Sequence, residues 1–210
     1  MKRAIILLSA ILLLSSCTQS WSPQNNASGE AMIPGKVLTT PTRGSGKHTL
    51  TVYADFQCPA CIWYNKNIIT PVILKEFVDT GKLTISYKQF PLKMHQNAEW
   101  DSLAVLCWHE QWKFFEYKEA MYNLEDIRKW DDVKDIDRIQ LAKNLGLNEQ
   151  SFKQCLTEKR YSKHIEQDMS DGNAIWLRWT PTFVVDGKMV DNQAFMTAEQ
   201  TRIFLNNITK

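Results

Sequence analysis

Cys58-Pro59-Ala60-Cys61 places two thiols two residues apart in a chain of 210 residues. Such a pair can cycle between dithiol and disulfide, supply half of a zinc site, or close a purely structural bridge. Zinc asks for about four ligands, and the sequence holds no second C-x-x-C; His109-Glu110 is followed by Lys113, so H-E-x-x-H is absent as well. A bridge spanning so short a loop stabilises by only about 2 kcal/mol in the chain-entropy description, a weak reason to build one. Redox cycling by the Cys58 and Cys61 thiols needs neither metal nor cofactor, and none is expected.

The flanking residues say how the pair is held. Thr49 to Ala54 is a β-branched and aromatic run that suits a buried strand. After Asp55-Phe56-Gln57, Pro59 fits the first position of a helix, where its missing N–H is no loss. The spacing predicts a helix from Cys58 to Asp79, stopped by Thr80-Gly81 and kinked at Pro71. A second strand, Leu83 to Phe90, completes a β-α-β unit. Cys58 then faces the positive end of a helix and its unbonded N–H groups, which favour thiolate. A fall in pKa from about 8.5 to about 6 raises the thiolate fraction at pH 7 from roughly 3% to roughly 90%. Cys58 is therefore the exchanging sulfur and Cys61, one turn deeper, the resolving one.

Beyond Phe90-Pro91 the pattern is helical. Trp100, Leu103, Ala104 and Cys107 form a core-facing stripe. Trp112, Phe115, Tyr117 and Met121 mark a second helix, and Ile136, Ile139 and Leu145 a third that stops at Gly146. Asn148 caps a fourth, with Phe152, Cys155 and Leu156 on one face, and Tyr161, Ile165 and Met169 belong to a fifth. The tryptophans are read as core, and the charged run Glu125 to Asp137 as a solvated loop and helix start. Strand returns at Thr182 to Val185, turns at Asp186-Gly187 and continues through Val190; a last helix follows Thr197, which with Gln200 makes a capping box.

The N-terminus reads as an export signal, with basic Lys2-Arg3 ahead of the short apolar run Ala4 to Leu14. Residues 17–46 are poor in apolar side chains and read as a tether. Lys plus Arg at 25 against Asp plus Glu at 23 becomes 23 of each without Lys2 and Arg3, so a nucleic-acid partner is not expected. Leu14-Ser15-Ser16-Cys17 resembles the lipobox of bacterial lipoproteins, and the resemblance implies cleavage before Cys17 and a lipid on its sulfur. The expected product is an extracytoplasmic, membrane-anchored lipoprotein.

Asp55-Phe56-Gln57-Cys58-Pro59-Ala60-Cys61, Thr180-Pro181-Thr182-Phe183 and Asp186-Gly187 together resemble the DsbA family of thiol-disulfide oxidoreductases. Between them, Glu110-Gln111 with Lys113-Phe114-Phe115-Glu116-Tyr117, and Leu145-Gly146-Leu147-Asn148 with Phe152 and Cys155-Leu156, are similar to the family's helical domain. The resemblance implies an α/β fold of thioredoxin type interrupted by a helical insertion: signal peptide 1–16, lipidated Cys17 and tether 17–46, first thioredoxin part 47–92, insertion 93–177 and second part 178–210. It implies a cis Pro181 beside the cysteines, with the Thr180 backbone free to pair with an extended substrate. Many members carry a buried Glu six residues before the first active-site cysteine; Val52 stands there, leaving Asp55 as the nearest candidate for proton handling, or as a turn residue. Apart from Cys17, four cysteines allow three pairings; the family blocks and their apolar helix faces favour a structural disulfide between Cys107 and Cys155.

An oxidase of exported proteins is the function so implied. Its partners are unfolded exported proteins bearing cysteines and a membrane protein that reoxidises the pair, and a monomer is expected. The alternatives are an isomerase or reductase of the same fold, and a non-catalytic lipoprotein that binds a peptide or partner.

Overall fold

The computed structural model describes residues 39–128 and 133–210. The leader, Cys17 and the tether as far as residue 38 lie outside the described residues. A five-stranded sheet, in the order β1-β3-β2-β4-β5, carries the site. Strand β2 (His48–Ala54) lies at its centre, parallel to β3 (Leu83–Gln89) and antiparallel to β4 (Thr182–Val185), which pairs with β5 (Lys188–Val190). Leu50 and Val52 of β2, Ile85 and Tyr87 of β3 and Phe183 of β4 have no exposed surface. Asp186 and Gly187 both take positive φ, 48° and 81°, between β4 and β5. That is the backbone a two-residue hairpin demands, and Asp and Gly tolerate it.

The domain begins earlier than its apolar pattern suggests. A two-residue edge strand, β1 (Thr42–Arg43), pairs antiparallel with β3 through Thr42 opposite Ser86 and Arg43 opposite Ile85. This strand falls within residues 17–46, the stretch that the sequence reads as a tether. Nothing in Thr42-Arg43 alternates, so periodicity could not find it; it is held by Arg43, which pairs with Asp79 at 2.6 Å and lies over the Phe115 ring. Gly44, at φ 98°, then turns the chain so tightly that a Cβ there would lie 2.4 Å from the Leu83 carbonyl oxygen.

The helix after the cysteines also differs from expectation. α1 covers Pro59–Tyr64 and continues as a π-wound segment over Asn65–Val78, with Asp79 N–H bonding the Leu74 carbonyl. Pro71 lies inside the wide portion, where a missing N–H and a crowded preceding carbonyl are accommodated by the looser winding.

The insertion consists of α2 (Ala98–His109), α3 (Phe114–Arg128), α4 (Asp135–Asn144), α5 (Glu149–Thr157) and α6 (Ser162–Ala174); α7 (Ala198–Ile208) closes the chain behind its Thr197 cap, whose hydroxyl accepts from Gln200 N–H. α2 is buried almost all round because α3, α5 and α6 all pack on it. Trp108 stacks on Tyr117 with ring centroids 4.1 Å apart. Trp112 instead leads into α3 at φ 63° and is 36% exposed, outside both the helix and the core expected of it, and Ile136 of α4 is exposed. α4 turns Arg138 and Ala142 inward because the Arg138 guanidinium binds Asp101 on α2, Nε to Oδ1 at 2.8 Å. A disulfide joins Cys107 of α2 to Cys155 of α5.

Chain crossings between sheet and insertion converge on one buried cluster of Tyr53, Phe90, Leu177 and Val184. Gln89 N–H donates to Asp168 of α6 at 2.9 Å on the way out, and Gly172 packs its bare Cα against Phe90 and Tyr53 on the way back. No helix among the described residues is long and apolar enough to cross a membrane.

Candidate active site

β2 ends at Ala54, and the next seven residues deliver both sulfurs. Cys58 is the N-cap of α1 in extended conformation, Pro59 occupies the first turn, and Ile62 N–H closes the turn on the Cys58 carbonyl at 3.0 Å. Both cysteines are thiols in this structure, and both are buried. The Thr180-Pro181 peptide is cis and brings the Thr180 carbonyl oxygen to 3.2 Å from Cys58 Sγ. Two hydrogen bonds fix that loop: Thr182 Oγ1 donates to the Trp179 carbonyl at 2.7 Å, and Asn192 Nδ2 to the Pro181 carbonyl at 2.9 Å.

The two sulfurs are electrostatically unequal. Hydrogen bonding from the Cys61 thiol, opposed by burial and aided by Thr180 and the Cys61 and Ala60 N–H groups, lowers Cys58 from the ordinary thiol value to about 6. Burial, and then the proximity of Cys58, push Cys61 well above that value. One proton thus leaves early and one late, the division a two-step thiol exchange requires.

Iodoacetamide labelling of the reduced protein against pH should therefore show Cys58 reacting with a midpoint near 6, and a midpoint at or above 8.5 overturns the assignment. An unfolded thiol ionises near 9, so thiolate stabilisation of the reduced fold is complete above about pH 9 and is lost as the pH falls through about 6.

Asp55 is fully buried, and its carboxylate is committed to anchoring. Oδ1 accepts from Gln57 N–H at 2.8 Å; Oδ2 accepts from Leu92 N–H at 2.7 Å and lies 2.8 Å from His95 Nδ1. The turn role is what this geometry displays. Its backbone N–H, rather than its carboxylate, reaches Cys61 Sγ, at 3.5 Å.

Further groups near the site left no signature in the sequence. Gln57 is buried and accepts Asn97 N–H at 2.7 Å, tying the cysteine loop to the start of α2. Lys118 of α3, with no exposed surface, binds the Asn65 side chain directly after α1 and lies 5.0 Å from the Tyr87 ring centroid. Glu125, expected in a solvated loop, is only 3% exposed, with the Asp101 carboxyl and the Gln57 side chain beside it. A charged residue reads as surface until its partner is known, and here the partners come from another helix and from the loop before Cys58. Among the described residues no cluster of His, Cys, Asp and Glu could hold a metal ion.

A thioredoxin family model matches residues 38–206. The disulfide bond formation protein D of Bacillus subtilis (strain 168) is 25% identical over 175 residues, 80% of this chain and 75% of that protein. Among solved structures, oxidised BdbD from Bacillus subtilis superposes with a TM-score of 0.71 at 21% identity, covering 81% of this chain and 92% of that one. The alpha-DsbA1 of Wolbachia pipientis superposes with a TM-score of 0.68 at 19% identity, over 82% and 92% of the two chains. These likenesses extend across the sheet and the insertion.

Proposed function

Because this chain belongs to the thioredoxin family, we propose that it is a thiol-disulfide oxidoreductase, and specifically an oxidase that passes a Cys58–Cys61 disulfide to exported proteins. The observation that carries this reading is the unequal pair: a Cys58 that ionises near 6 above a buried Cys61 that does not. A stabilised thiolate favours the dithiol form and so makes the disulfide a better oxidant. The relative in Bacillus subtilis is named for disulfide bond formation, which supports the same direction.

In the forward reaction a substrate thiolate attacks Cys58 Sγ, the Cys58–Cys61 bond breaks, and Cys61 leaves and takes up a proton. A second substrate thiolate then attacks the first substrate sulfur, the one bonded to Cys58, forming the substrate disulfide and releasing Cys58 as thiolate. The substrate loses two electrons, and the enzyme pair gains them. The Thr180 carbonyl beside cis-Pro181 offers the main-chain contact that an extended polypeptide can use regardless of its sequence. A membrane redox partner then removes the electrons. Asp55 serves the same chemistry through its backbone N–H, 3.5 Å from Cys61 Sγ, which steadies that sulfur as it leaves, while its carboxylate holds the turn. Export and lipid anchoring at Cys17 are also part of it, supported by Lys2-Arg3, the apolar run after them and Leu14-Ser15-Ser16-Cys17.

Equilibration with glutathione tests the direction. An oxidase should show a reduction potential above about −200 mV, and a value near thioredoxin's, about −270 mV, overturns it in favour of a reductase.

A further inference from the structure

A cavity of about 430 Å³ lies between α1 and α3, lined by Pro59, Ile62 and Trp63 of α1, by Asn67 of its π-wound continuation, by Gln57 ahead of it and by Glu125 of the insertion. We propose that it is a substrate subsite, receiving an uncharged, apolar side chain that lies one or two residues from the cysteine joined to Cys58. The proposal rests on the oxidoreductase reading above.

Position is the first argument. Pro59 follows Cys58 directly, and an extended chain advances about 3.3 Å per residue. A polypeptide held by a disulfide to Cys58 Sγ therefore has its next residues within reach of the opening. The main-chain contact at Thr180 discriminates little between sequences, so any side-chain preference must come from a wall such as this one.

Charge is the second. Lys66 and Asp126 line the same cavity and neutralise each other, Nζ to Oδ2 at 3.0 Å. The Glu125 carboxyl lies beside that of Asp101, and one guanidinium, Arg138, serves that pair, with its Nη2 2.7 Å from Asp101 Oδ1. Asp55 is within electrostatic reach of Asp101 and raises it, and Asp135 shares Arg138. Two neighbouring buried carboxyls that raise each other's pKa cannot both ionise cheaply, so one keeps its proton. Burial first, then Asp101, hold Glu125 up at about 9. Pro59, Ile62 and Trp63 thus give the cavity an apolar wall, and its charged lining is compensated by the Lys66–Asp126 pair and by the proton kept on the Glu125–Asp101 pair. An acidic substrate side chain meets Asp126 and the carboxyl pair; a basic one has to draw the proton off Glu125 beside Asp101.

The test uses oxidised wild-type protein and reduced peptides carrying Leu, Phe, Asp or Lys next to a cysteine, followed as kcat/KM for thiol oxidation. Leu and Phe are expected to exceed Asp and Lys by tenfold or more, on the order of what a hydrophobic pocket can discriminate. Asn67→Trp, which adds a bulky ring to the lining, should collapse the ratio toward one, and Trp63→Ala should shrink it; both positions are exposed. Equal kcat/KM for the four peptides, or a preference undiminished by Asn67→Trp, overturns the subsite. Failure of the wild type to oxidise dithiothreitol overturns the oxidoreductase reading itself, so the two failures are distinguishable.

Discussion

Replacing Cys61 by Ala is expected to convert the protein from a catalyst into a trap, with substrate proteins accumulating as mixed disulfides on Cys58, whereas Cys58→Ala abolishes both trapping and turnover. The expectation follows from which sulfur can be reached and ionised. Cys58 caps α1 beside Pro181 and ionises near 6; Cys61 lies a turn deeper at 1% exposure with its thiol held protonated by burial. With Cys61 gone, the intramolecular release that returns a substrate from an unproductive encounter is lost, and only a second external thiol can free it. Non-reducing electrophoresis should show adducts that dithiothreitol removes. Adducts formed equally well on a Cys58→Ala protein would sink the assignment of roles. Turnover should drop to the rate of uncatalysed exchange in either variant.

The second large effect concerns stability. Removing the Cys107–Cys155 disulfide, as Cys107→Ala with Cys155→Ala, should cost about 4 kcal/mol, because the bond closes a loop with a sequence separation of 48. For a chain of this size that is roughly an 8–16 °C fall in Tm. Both sulfurs are 1% exposed, so the truncation adds a packing loss to the entropy term. The bond ties α2, on which much of the insertion rests, to α5. Thermal unfolding of wild type and double variant under oxidising conditions measures the difference; a change below 1 kcal/mol would show that helix packing alone holds the two helices.

Local chemistry was legible in the sequence, and long-range pairing was not. Cys58 at a strand-to-helix junction, Asp186-Gly187 in a hairpin and Thr197 with Gln200 at a helix start each depend on neighbours a few residues away, so type and spacing suffice. The Asp101–Arg138 pair joins helices α2 and α4, and its existence reverses the inward face of α4 from Ile136 to Arg138. Periodicity cannot register a buried ion pair, because each partner looks solvated on its own. The edge strand β1 escaped for the opposite reason: two residues carry no period at all. Asp55 was singled out as an acid near the cysteines, but its hold on Leu92 and His95 became visible only once the fold had brought that loop back to the end of β2.

The shared cluster of Tyr53, Phe90, Leu177 and Val184 bears on how such a molecule can change over generations. Since the outgoing and returning segments of the insertion are gathered at one patch of the sheet, the helices between them behave as a cassette whose ends already meet. Lengthening, exchanging or reshuffling those helices requires only that the new piece present two neighbouring ends to the same patch. The strand-to-helix turn bearing Cys58 and the cis-Pro181 loop remain on the sheet while the cassette varies. The cysteine-bearing turn and the helices packed over it can then diversify at separate rates.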